Sequence, residues 1–111
     1  MNTSEDTSPK SVYWRRDLPP PDGEVVHEHV IEVVSDRVTG SIERHGELWN
    51  QCYASLMENT QNRLEQEVAR LGGHYAHVLD EHIESRRDDA TTETWLQGRF
   101  NYVLYRRVRG V

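Results

Sequence analysis

Cysteine is almost missing from this sequence, which has a single one, Cys52, among 111 residues. One thiol excludes an intrachain disulfide, and it excludes zinc and iron–sulfur sites that draw several cysteines from one chain. Long apolar runs are also missing: none approaches the roughly 20 residues that a membrane-spanning helix needs. The N-terminal stretch MNTSEDTSPK lacks the apolar core of a signal peptide. We therefore expect a cytoplasmic protein that does not enter a membrane.

Positive charge is scarce beside negative charge. The formal net charge is −6, from 13 basic and 19 acidic residues, so a uniformly basic surface for nucleic acid is lacking. A cluster near the C-terminus, with tyrosines between its members, resembles surfaces that stack single-stranded bases; its arginines are Arg99, Arg106, Arg107 and Arg109. The acidic balance argues against nucleic-acid binding and against affinity for anionic membranes.

Recognisable catalytic motifs are absent too. The sequence has no glycine-rich phosphate loop, no nucleophile elbow and no Walker motif. Cys52 lies one helical turn from Trp49 and from Leu56, a spacing typical of a packed side chain rather than of an activated nucleophile. We expect a protein without enzymatic activity.

The chain length suits one domain with one core. Residues 1–23 are polar and then proline-rich, and they predict a flexible N-terminal tail. Two large aromatic residues in this segment, Tyr13 and Trp14, are unusual for a tail, and we expect Trp14 to be partly buried. Residues 24–111 would then form the domain.

Three strands and one helix are predicted within that domain. The β-branched stretch EVVHEHVIEVV at residues 24–34 predicts a strand. Apolar residues then recur at steps of three and four from Trp49 to Leu71, and Gly72-Gly73 ends this helix. A helix starting at residue 41 would be about 45 Å long, so it begins later, breaks near Gly46 or projects from the domain. Residues 75–85 and 94–108 alternate and predict an antiparallel hairpin. The predicted fold is α+β: a single β-α-β-β domain with one long helix on a three-stranded sheet.

Histidines are the strongest candidates for chemistry. His27 and His29 share one face of the first strand, and with His77 they form a candidate site for a divalent metal if both strands present the same face. The spacing matches no named zinc pattern. In LGGHYAHVLDEHIE, at residues 71–84, alternation places His74 and His82 on one face and His77 on the other. We expect these three to act separately and His77 to be the most buried.

The predicted strands are apolar on both faces, although a single helix covers only one face of a sheet. An uncovered apolar face of this size is typical of an interface, and it favours a homo-oligomer or a protein partner, bound by sheet packing or strand addition. The alternative is that the tail, with Tyr13 and Trp14, folds back over it. The predicted interface residues are Val26, Val30, Val34, Val78, Trp95, Val103 and Tyr105.

The run RLEQEVARLGGHYAHVLDEHIE, followed after a turn by LQGRFNYVLYRR, resembles the YbjQ-like family of small β-α-β-β domains, which are described as heavy-metal-binding. The residues at corresponding places are Leu71, Gly72, Gly73, Val78 and Gly98. The resemblance implies a ring-forming or dimeric assembly module. It carries no set of metal ligands onto this sequence, which also departs from the family at His74 and in its longer helix.

Overall fold

One helix packs on one face of a mixed β-sheet. The computed structural model describes residues 10–40 and 46–108. In chain order the elements are β1 (Val12–Tyr13), β2 (Gly23–Val34), β3 (Val38–Thr39), α1 (Glu47–Arg70), β4 (Tyr75–Asp88) and β5 (Glu93–Arg107). The predicted α+β class is confirmed. The predicted three-stranded sheet is too small, because β1 and β3 add to it.

The last strand in the sequence is central in the sheet. The strand order is β1-β4-β5-β2, and β3 also pairs with β5. β1 runs parallel to β4, whereas β2, β3 and β4 are all antiparallel to β5. β5 is therefore the strand on which the other long strands depend.

The helix begins later than residue 41, which was one of the expected alternatives. Gly46 precedes it with an extended backbone, and α1 runs for 24 residues, or about 36 Å. At its end Gly72 adopts a positive φ of 75°, and Gly73 donates a hydrogen bond to the Val68 carbonyl at 2.9 Å. The glycine pair therefore caps the helix as predicted.

The core lies between α1 and the sheet face that it covers, here called the helix face. The helix contributes residues spaced by four: Cys52, Leu56, Thr60, Leu64 and Val68. Cys52 is buried, in agreement with its predicted packing role. The sheet contributes Ile31, Val78, Leu96, Phe100, Tyr102 and Leu104. No helix in the described ranges is both long and apolar enough to cross a bilayer.

Two β-bulges interrupt the alternation of side chains. In β2 the register against β5 shifts between Val25 and His27, and in β4 it shifts between Val78 and Asp80. One extra residue in a strand moves every following side chain to the other face. The prediction that His82 lies on the face opposite His77 is therefore wrong. The extra residue Leu79 lies between them in β4, and it places His82 on the same face as His77.

The sheet also takes in part of the segment predicted as a tail. Val12 pairs with Ala76 and Tyr13 with His77, and the Val12 side chain is fully buried. Trp14 is partly buried, as expected, with its ring edge-on to Phe100 at 6.2 Å between centroids. Residues 1–9 of that segment lie outside the described residues.

Candidate functional site

The sheet face opposite α1, here called the open face, is the candidate site. Its centre is formed by alternate residues of β5: Trp95, Gln97, Arg99, Asn101, Val103 and Tyr105. Cross-strand register places Asn101 between two neighbours, Val30 of β2 on one side and Asp80 of β4 on the other. No helix of the described residues covers this face.

Valines of the edge strand β2 give the open face much of its apolar character. The exposed fractions are 54% for Val25, 46% for Val30 and 50% for Val34, and Leu79, the bulged residue of β4, is 50% exposed. These values are high for β-branched and aliphatic side chains, which usually lie inside. These four side chains therefore form an exposed apolar row of the kind that marks a protein interaction site.

Most of the predicted interface residues lie on this face. Register with β5 places Val30 and Val34 there, together with Trp95 and Tyr105. Val103 also points to this face, but it is buried, with 7% of its surface exposed. Val26 is the bulged residue of β2 and is 40% exposed. Val78 is a correction: it faces α1 and is fully buried, because β4 starts with Ala76 and Val78 on the helix face. Sequence reasoning missed Val25 and Leu79, since each position depends on a bulge.

Charged pairs divide the apolar residues of the open face. Arg99 lies 3.5 Å from the Glu32 carboxylate across the β2–β5 ladder. On β4, Glu84 lies 3.4 Å from Arg86 and 3.4 Å from the His82 imidazole. Exposed pairs of this kind add little stability, but they give the face both signs of charge.

An aromatic cluster closes one end of the open face. The Tyr75 ring stacks on Tyr105 at 5.0 Å and meets Tyr13 edge-on at 5.5 Å. Its hydroxyl donates a hydrogen bond to the Pro20 carbonyl at 2.8 Å. Burial, and then the Asp22 carboxylate, raise the pKa of Tyr75. The segment before β2 therefore covers this end, while Val30 and Val34 stay exposed.

The structure does not bring the predicted metal ligands together. His27 and His29 lie 5.2 Å apart between ring centroids, opposite Leu104 and Tyr102 in register and so on the helix face. His77 lies opposite Val103, on the open face and on the far side of β5. The same-face condition for a three-histidine site fails, and no group of three or more metal-ligating side chains occurs in the described ranges.

The histidines of residues 71–84 behave individually. His77 is the most buried of the three, as expected, and its Nε2 is buried without a hydrogen-bond partner in the described residues. His74 has a structural task that the sequence did not indicate: its Nδ1 accepts a hydrogen bond from the Arg107 amide at 2.7 Å. His77 and His82 lie opposite Val103 and Arg99, about 13 Å apart along β5.

The β2 edge extends the candidate surface. β2 pairs with β5 on one side only, so along 12 residues its outer backbone groups have no strand partner in the described part of the chain. Such an edge accepts another strand unless charges or bulges prevent it. Here Glu28 and Glu32 alternate with Val30 and Val34, and the bulge at Val26 protects one end.

The open face and the β2 edge together offer apolar contact, paired charges and free backbone hydrogen-bonding groups. These are the means by which sheets associate with other chains. Comparison with known proteins adds no relative from which a role could be carried over: no family model, no curated protein and no solved structure matches this chain.

Proposed function

We propose that this protein is a non-enzymatic, cytoplasmic self-assembling module, whose copies associate through the open face and the adjoining β2 edge. The observation that carries the proposal is the row of half-exposed aliphatic side chains on a face that no described helix covers: Val25, Val30, Val34 and Leu79. Burial of apolar surface contributes about 25 cal/mol per Å², so a second copy seated there would be stabilised mainly by this row.

A second copy suits the charges of this face. A two-fold axis places the same patch of each copy against the other, so a face of one sign would repel itself. The open face instead carries Glu32 beside Arg99 and Glu84 beside Arg86. Each acidic group can therefore meet a basic group of the other copy. The resemblance to the YbjQ-like family, which implies a dimeric or ring-forming module, supports the same proposal.

The test is the mass of the protein in solution, measured by sedimentation velocity over a range of concentrations. We expect the unchanged chain to form a dimer or a larger oligomer, and the double variant Val30→Glu with Val34→Glu to be monomeric. Leu18→Glu is the matched control, because Leu18 is an apolar side chain that is 91% exposed and lies in the segment before β2. A monomeric unchanged chain, or an associated double variant with native circular dichroism, would overturn the proposal.

Divalent-metal binding is the alternative function. The favouring observation is the closeness of His27 and His29, with ring centroids 5.2 Å apart. Two imidazoles do not complete a tetrahedral zinc site, so further ligands would come from solvent or from another chain. Titration with zinc or nickel during thermal melting tests this, since a true site at hundredfold excess over its Kd stabilises by about 2.7 kcal/mol. A shift that persists in His27→Ala, or none at all, would remove the alternative; His82→Ala is the control.

A further inference from the structure

A groove at the β4 edge of the helix face lies apart from the open face. It has a volume of about 340 Å³. Its walls come from the segment after β1, from α1 and from β4: Trp14, Arg15, Arg16, Tyr53, Met57 and Glu81, with Asp17 at the turn. Small-molecule sites usually start at about 300 Å³, so the groove has room for a small ligand.

The aromatic wall of the groove is held in place. The Trp14 amide donates a hydrogen bond to the Asp17 carboxylate at 2.7 Å, and the Asp17 amide donates to the Trp14 carbonyl at 2.7 Å. The indole ring rests edge-on against Phe100 in the core. Trp14 therefore presents a fixed ring, and a fixed ring binds a flat ligand without a large loss of side-chain entropy.

Arg15 and Arg16 have no partners among the described residues. Every other arginine there contacts a carboxylate or an aromatic ring, but neither Arg15 nor Arg16 has an ion pair, a hydrogen bond or a ring contact. The nearest acid in the sequence, Asp17, is already bound to the Trp14 amide and to Lys10. Two adjacent guanidinium groups without carboxylates are unusual in a chain with a net charge of −6.

Two acidic residues line the groove, Asp17 and Glu81, and Asp17 is already bound to the Trp14 amide and to Lys10. Glu81 is close enough to Tyr53 that its charge, after burial, raises the pKa of the Tyr53 hydroxyl. A carboxylate accepts hydrogen bonds from amino groups. The groove thus combines two cationic groups, two aromatic rings and two carboxylates, of which Asp17 already has partners in the chain.

We propose that this groove binds a nucleoside monophosphate with an amino-bearing base. Guanidinium groups bind phosphate oxygens through charge-assisted hydrogen bonds, so Arg15 and Arg16 hold the phosphate. The base packs against Trp14 and Tyr53 as aromatic rings do, and its amino group donates to Glu81. This site is independent of the proposed self-association, because none of its residues belongs to the open face.

The test uses adenosine monophosphate and ¹⁵N nuclear magnetic resonance of the full chain. We expect saturable shifts of the Trp14 indole signal and of the amides of residues 14–17, which weaken as salt is added. The double variant Arg15→Gln with Arg16→Gln is expected to lose affinity by about tenfold or more. Both side chains are exposed, so the variant retains the fold.

The matched control is Arg87→Gln with Arg106→Gln. It removes two other exposed arginines, which lie off the open face and already contact Asp89 and Glu24, and it is expected to bind adenosine monophosphate as the unchanged chain does. If inorganic phosphate bound as tightly as adenosine monophosphate, the proposed role of the Trp14 ring would be wrong. If adenosine bound as tightly, the proposed role of the two arginines would be wrong. The proposal fails if no signal shifts at a ligand concentration of about 10 mM, or if Arg15 and Arg16 prove dispensable.

Discussion

At the scale of single residues, Gly98 shows how closely the helix approaches the sheet. A Cβ at this position would lie 2.6 Å from Phe100 Cε2 and 3.2 Å from Leu56 Cδ2. We expect Gly98→Ala to lower the free energy of unfolding by about 1–3 kcal/mol, since overpacking forces buried neighbours to move.

Urea denaturation measures this effect, and Gly72→Ala provides the contrast. Gly72 has a φ of +75° and open space around its Cβ position, so its replacement costs only the backbone strain of about 1–2 kcal/mol. Unchanged stability in Gly98→Ala would contradict the close approach of Phe100 and Leu56 to this position.

His74 is a second residue whose importance depends on one contact. Its side chain is exposed, yet its Nδ1 accepts a hydrogen bond from the Arg107 amide at 2.7 Å. We expect His74→Ala to lower the free energy of unfolding by about 1 kcal/mol, and the Arg107 amide to exchange with solvent faster. His82→Ala, which removes an exposed ring from the same strand, should leave that amide unchanged. Equal exchange in both variants would contradict the contact.

At the scale of elements, the last turns of α1 depend on a buried carboxylate. Glu67 lies 2.6 Å from Arg70 and 3.4 Å from Arg63, and the hydrogen bond from Arg70 is the main reason that its pKa lies below the ordinary 4.5. A carboxyl whose pKa is lower in the folded state contributes its full stabilisation at pH values above its unfolded-state pKa. This contribution is lost as the pH falls through the folded-state pKa.

Replacing Glu67 should therefore have a pH-dependent effect. We expect Glu67→Gln to cost about 1–2 kcal/mol at pH 7, and the difference from the unchanged chain to shrink as the pH falls below about 4.5. Denaturant melts at several pH values measure this difference. Glu65→Gln, an exposed carboxylate on the same helix, is the control. A difference that does not vary with pH would mean that Glu67 acts by packing rather than by charge.

Elements with a local signal were predictable from the sequence. The step of three and four residues from Trp49 onward and the glycines after Leu71 predicted the helix and its end, because both signals belong to neighbouring residues. The bulges at Val26 and Leu79 had no such signal: no residue type in these strands marks an insertion into a ladder. Alternation counted from Tyr75 therefore gives the correct face up to Val78 and the wrong face for His82. Nothing local shows which face of a strand will be turned toward α1, and the predicted histidine site and the placement of Val78 on the open face failed for that reason.

At the scale of the whole molecule, β1 in the N-terminal segment pairs with β4, which is distant in the sequence. Val12 is fully buried, and we expect Val12→Ala to lower the free energy of unfolding by about 2 kcal/mol through the cavity it leaves. Leu18→Ala, at a side chain that is 91% exposed, should change stability little. Equal stability of the two variants in urea would show that β1 does not contribute to the sheet.

The pairing of β1 was beyond prediction because two residues are too few to show a period. Its position depends on the β4 edge left free beside Ala76 and His77, which only the assembled sheet creates. The division of the open face into apolar and charged parts was also beyond prediction, because it too depends on the assembled sheet. Cross-strand register brings Arg99 to Glu32, and register is a property of paired strands rather than of either strand.

The central place of β5 has a consequence for synthesis. The ribosome makes β2, α1 and β4 before β5, yet β2 and β4 pair with β5 and not with each other. A nascent chain that lacks β5 thus holds α1 without the sheet that buries it, and β2 with both edges free. Exposed strands and apolar surface are the origin of aggregation in partly folded chains. The chain is therefore most vulnerable late in translation, and substitutions that stabilise the β4–β5 hairpin should improve folding yield more than equally stabilising changes in β2.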